Sequence, residues 1–134
     1  MEIRLERTGQ APLAFDGELL KAAAGRIFCG KEQNRWHEIT LYRTAQTQRL
    51  VLSITYRSQW QGEAAYHDVR VLESEADMIR ILRGYNPVPE HIGYPDAAHF
   101  RPRQLALEAD IRRRFSELVE QMLSNVSGAE ERIL

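Results

Sequence analysis

His37, Tyr56 and His67 are the residues whose types and spacing could do chemistry together. Each falls in a stretch where apolar and polar side chains alternate. A register that keeps the apolar rows on one face brings all three, with Ala65, to one end of that face. Two imidazoles and a phenol are raw material for a metal-ligand or catalytic role. Zinc, however, takes four partners with at least three normally from protein, and the nearby carboxylates Glu38 and Asp68 fall on the opposite faces of their strands. The cluster reads first as hydrogen-bonded histidines at the rim of a core. A small-ligand or metal site at the His37/Tyr56/His67 end is the alternative; no metal and no cofactor is expected.

Other chemistry finds little footing. His91 and His99 stand in a proline-rich stretch with only Glu90 and Asp96 beside them, and read as solvent-facing. Cys29 lacks a neighbouring histidine that would activate its thiol. The glycines are scattered, so neither a nucleophile elbow, a P-loop nor a dinucleotide fingerprint can be written. The acidic pairs Glu73/Glu75 and Glu130/Glu131 belong to a helix start and to the tail. No catalytic residue is assigned, and an enzyme is the weaker expectation.

Three consecutive strands must position the cluster. In Trp36–Tyr42, His37, Ile39 and Leu41 alternate with Trp36, Glu38, Thr40 and Tyr42. In Leu50–Tyr56 an apolar row of Leu50, Leu52, Ile54 and Tyr56 opposes Val51, Ser53 and Thr55, and in the third stretch Ala65, His67, Val69 and Val71 oppose Tyr66, Asp68 and Arg70. The connections are too short for a crossover helix, so the neighbours are antiparallel. The expected partners are Leu41 with Leu52 and Ile39 with Ile54, then Leu52 with Val69 and Ile54 with His67.

Around this centre, Ile3, Leu5, Leu13 and Phe15 suggest an N-terminal hairpin with Pro12 on an edge. The segment Glu18–Ala24 is expected as a short helix stopped by Gly25, and Ile27, Phe28 and Cys29 as a buried connection. Ser74 caps a helix Glu75–Arg83 that buries Met78, Ile79 and Leu82. The stretch Tyr85–Arg103 holds four prolines and is long enough to wrap a surface, pinned by Val88, Ile92, Tyr94 and Phe100. From Gln104 to Leu123, Leu107, Ile111, Phe115, Leu118, Val119 and Met122 form one stripe, the mark of an amphipathic helix laid on the sheet. The sum is one α+β domain over residues 1–126: an antiparallel sheet of about five strands, order ββαβββα, loop and α, with helices on one face. Residues 127–134 are expected as a frayed tail.

The 134 residues carry 18 basic and 19 acidic side chains, so no global field steers the chain to nucleic acid or to an anionic membrane. One cysteine and a charged start fit a reducing cytoplasm, and no apolar run has the length of a membrane span. Two surface features remain. Trp60 sits at a hairpin tip in Arg57–Glu63, where it either folds back or is offered to a partner. Arg101, Arg103, Arg112, Arg113 and Arg114 form the second, for which Glu108–Arg112 and Asp110–Arg114 pairs are the plain explanation and phosphate binding the bolder one. The leading expectation is a small cytoplasmic adaptor that binds a protein, another copy of the chain included, through Trp60, Trp36, Arg57, Tyr42 and Tyr66. The runner-up is a single-stranded nucleic-acid binder, in which aromatics stack bases while Arg35, Arg43, Arg57 and Arg70 hold phosphates.

Overall fold

The computed structural model describes residues 1–28, 30–89 and 101–131, with side chains through Ser124. Expectations about Cys29, His91, His99, Ile92, Tyr94 and Phe100 lie outside those residues. Among the described residues, seven strands and two helices follow one another: β1 (Glu2–Arg7), β2 (Gln10–Ala24), β3 (Ile27–Phe28), β4 (Lys31–Glu32), β5 (Arg35–Thr44), β6 (Leu50–Ser58), β7 (Tyr66–Leu72), α1 (Glu75–Gly84) and α2 (Arg101–Glu131). The main sheet is antiparallel, in the order β1-β2-β5-β6-β7, and β3 with β4 forms a separate small hairpin. This is the expected α+β class with a five-stranded sheet and both helices on one face.

The sheet curls. β1 and β7 stand at opposite ends of the strand order, yet the backbone N–H of Thr8, just past β1, donates to the His67 carbonyl (2.9 Å), and the His67 N–H donates to Thr8 Oγ1 (2.8 Å). A flat sheet could not bring them together. Curling makes β6 a strand buried on both faces, so Val51, Ser53 and Thr55 are as hidden as Leu50, Leu52 and Ile54. On the helix side, Ile39, Leu41, Leu50, Leu52, Ile54 and Leu72 pack under Met78 and Leu82 of α1 and Phe115, Leu118, Val119 and Met122 of α2. On the other side the N-terminal hairpin folds over, burying Ile3 and setting the Phe15 ring edge-on to Tyr42 at 5.8 Å.

Curling also explains a register that the sequence pattern misses. The first hairpin pairs Leu41 with Leu52, Ile39 with Ile54 and His37 with Tyr56, as expected. The second pairs Leu52 with Arg70 and Ile54 with Asp68, one residue away from the expected Val69 and His67. The expected pairs follow only if the apolar rows share a single face. Here both faces are covered, so His67 and Val69 join Val51 and Thr55 on the hairpin side, while Asp68 and Arg70 reach the helix side and satisfy each other.

The segment Glu18–Ala24 is strand, not helix. Its leucines, lysine and alanines favour a helix locally, but seven of the residues from Gly17 to Ala24 pair with β5, and long-range pairing wins. β2 serves two neighbours in turn: its first half pairs only with β1, which leaves Pro12 on an open side, and its second half only with β5. The changeover is at Gly17, where a Cβ would lie 2.3 Å from the Arg43 carbonyl oxygen. Only glycine allows that approach. Ala23 then fills the space beneath α2, and Lys21 Nζ donates to the Gln121 carbonyl (2.7 Å).

Smaller differences follow from the same packing. Ser74 caps α1 by accepting from the Asp77 N–H, and Met78 and Leu82 are buried as expected, but Ile79 points to solvent. Ile27 is exposed rather than part of a buried connection, while Phe28 is covered by Arg113 and Arg114 of α2. The stripe from Ile111 to Met122 is buried as read, and α2 runs on to Glu131, through part of the expected tail.

Candidate functional site

The open end of the curled sheet gathers the polar chemistry of the fold, and Glu63 is its centre. β5 delivers Arg35 opposite Ser58, the last residue of β6. The loop that follows returns Glu63 to both. Its carboxylate accepts Arg35 Nη2 (2.6 Å) and Nε (3.0 Å), the Tyr56 hydroxyl (2.9 Å) and Ser58 Oγ (2.8 Å). Burial would raise the Glu63 pKa, but the hydrogen bonds from Arg35, Ser58 and Tyr56 outweigh it and hold the carboxyl below the usual carboxylate range. The Tyr56 phenol is pushed well above its ordinary value by burial and by Glu63.

This network fixes the loop from within. Ser58 Oγ also accepts the Trp60 N–H (3.0 Å), and the Arg35 guanidinium lies 5.0 Å from the centre of the Trp60 ring. Trp60 is nevertheless 51% exposed. One of its neighbours is a small pocket of about 170 Å³, lined among others by His37, Leu107, Ile111 and Arg114.

His37 and Tyr56 come together as the register predicts, with ring centres 5.3 Å apart, and Phe115 meets the imidazole edge-on at 5.0 Å. His37 is buried, with the Pro87 backbone beside it. Desolvation lowers its pKa from the ordinary 6.5 to about 4, so it is neutral at physiological pH. His67 is not part of this group. It pairs with Thr55 on the opposite face, where its Nδ1 lies 3.5 Å from Thr55 Oγ1. Ala65, expected beside it, is exposed ahead of β7. Among the described residues, no group of three or more His, Cys, Asp or Glu side chains is placed to hold a metal.

Beyond His37 and Tyr56 the sheet opens into a cleft of about 930 Å³ between β7, the end of α1 and residues 85–89. Asp68 holds its wall together: Arg70 donates through Nε and Nη2 (both 3.1 Å), and the Tyr85 hydroxyl donates at 3.1 Å. Tyr85 in turn stacks on Phe115 at 5.4 Å. Burial and the Asp68 charge push the Tyr85 phenol far up, and the Asp68 hydrogen bond strengthens the charge on Arg70.

The expected aromatic surface is divided. Trp36 is 9% exposed, not displayed; Glu38 accepts its indole N–H (3.0 Å) and Arg57 Nε (2.9 Å), and Arg26 covers the ring at 5.2 Å. Tyr42 is half-buried against Phe15 on that same face. Tyr66 lies on the helix side and Trp60 at the loop tip, so the five residues form no single surface. Of the phosphate-holding arginines, Arg35, Arg57 and Arg70 are each matched to a carboxylate, and Arg57 faces away from Arg35, Arg43 and Arg70. On α2, Glu108–Arg112 and Asp110–Arg114 form as the plain explanation requires.

Glu63 and Pro87 went unread in the sequence. Extending the first register by one more pair sets Arg35 beside Ser58, at the mouth of the loop that carries Glu63. That was the available signal. No family model matches the chain, and neither a curated protein nor a solved structure matches it. Among the described residues, no helix is long and apolar enough to cross a membrane.

Proposed function

We propose that the chain is a binding protein whose contact with a protein partner is anchored on Trp60. The observation that carries this reading is the contrast within one loop: Glu63 locks it from inside, yet its largest apolar side chain stands half in water. An aromatic that is exposed and already immobilised loses little further entropy on docking, and tryptophan and arginine are the usual anchors of interfaces. Arg35, stacked on the indole, and the small pocket beside it are the features a partner side chain would meet. Trp36, Tyr42 and Arg57 are engaged internally and take no part.

Site-specific photocrosslinking from position 60, in the cell that makes the protein, tests the reading. A discrete protein adduct, absent when the crosslinker replaces exposed Glu2, is expected; an adduct of twice the chain mass identifies a second copy. Adducts to nucleic acid alone, or the same adducts from both positions, contradict it.

A further inference from the structure

Independently of the Trp60 contact, we propose that the cleft between β7 and the end of α1 binds a small planar aromatic carboxylate. Its volume, about 930 Å³, is in the range of pockets that take small organic ligands. At its inner end the His37 imidazole is buried and neutral, and the Tyr56 hydroxyl is already given to Glu63. Tyr66 and Tyr85 supply aromatic wall, with Ile81 and Val88 beside them. A flat ring fits such a wall better than a flexible chain does.

Charge sets the sign of the ligand. Asp68 already accepts from Arg70 twice and from Tyr85 once, so a cation entering the cleft meets a carboxylate that is well satisfied. Arg70 spends two of its five N–H donors on Asp68, and Arg80, which lines the same cleft with its side chain 72% exposed, spends one on Asp77 at 3.3 Å in an exposed pair that holds it only weakly. A carboxylate can be received there in the planar geometry that guanidinium favours. Two arginines, each already facing one carboxylate but with N–H donors left over, suit a single carboxylate rather than a polyphosphate.

The probe is naphthoate, titrated into the full chain and followed by amide NMR, beside neutral naphthamide and cationic naphthylmethylammonium. Saturable shifts centred on Tyr66, Asp68, Arg70 and Tyr85 are expected, with the anion bound about tenfold or more tightly than the cation. Arg70→Ala should weaken naphthoate about tenfold, the scale of one charge-assisted contact. If that variant does not fold, Arg80→Ala, at an exposed helix position, should weaken it several-fold. Equal affinity for the three probes, shifts scattered away from the cleft, or undiminished naphthoate binding in the folded variants overturns the proposal.

Discussion

Arg35 and Glu63 lie 28 residues apart and meet in an ion pair of 2.6 Å with both side chains largely out of water, 18% and 10% exposed. Such a pair is expensive to break from one side, because the survivor keeps its charge in a poorly solvated place. Glu63→Leu or Arg35→Met alone should cost about 3 kcal/mol, whereas the double replacement should cost less than either single change. Urea unfolding of the four proteins gives the cycle. Additive costs below about 0.5 kcal/mol each would mean that the pair is only a surface contact.

Gly17 is the hinge on which β2 changes partners. An added Cβ meets the Arg43 carbonyl at 2.3 Å, and backbone cannot give way as a flexible side chain can. Gly17→Ala should therefore destabilise the chain by about 1–3 kcal/mol, where alanine in an ordinary strand position would help. Thermal unfolding beside Gly84→Ala, at the end of α1 with open space around it and no positive φ, separates the clash from general backbone effects.

The first hairpin was legible because His37, Ile39 and Leu41 and their partners alternate cleanly and one tight turn joins them. α1 and α2 were legible because capping and a single apolar stripe are local signals. What escaped is what depends on curvature. Nothing in the pattern of Val69 and Val71 says that the reverse side of the sheet is also covered, so the second register came out one residue away and His67 on the wrong face. Glu18–Ala24 was misread for a related reason, since its local preference for helix yields to pairing with β5. The site was half visible: His37 beside Tyr56 followed from register, whereas Glu63 and Pro87 reach it from loops with no periodicity.

Acid should weaken the fold through His37 before it touches the carboxylates. The folded protein binds a proton there only near pH 4, whereas the unfolded chain binds one near 6.5, so stability is unaffected above that pH and falls below it. The loss should approach about 3 kcal/mol by pH 4. Glu63 acts in the same direction at lower pH: its depressed pKa gives stability that is present above the ordinary 4.5 and lost as pH falls through the folded value. In His37→Phe the decline between pH 6.5 and 4 should flatten; an unchanged pH profile would place the titration elsewhere.

The two tryptophans should part company in stability. Trp36→Ala empties a buried site and leaves Glu38 without its indole donor, and should cost about 3 kcal/mol or more. Trp60→Ala should cost about 1 kcal/mol or less, since the ring is half in water. Chemical unfolding ranks them directly, and equal costs would contradict the burial described.

Time-resolved fluorescence of a Trp36→Phe variant, in which Trp60 is the sole indole, addresses the held but exposed anchor most directly. The expected result is an indole readily quenched by acrylamide whose anisotropy decays only with the tumbling of the whole molecule, and which gains fast local motion when Glu63→Gln is added. A quencher-protected indole, or one that moves freely with Glu63 intact, would contradict it.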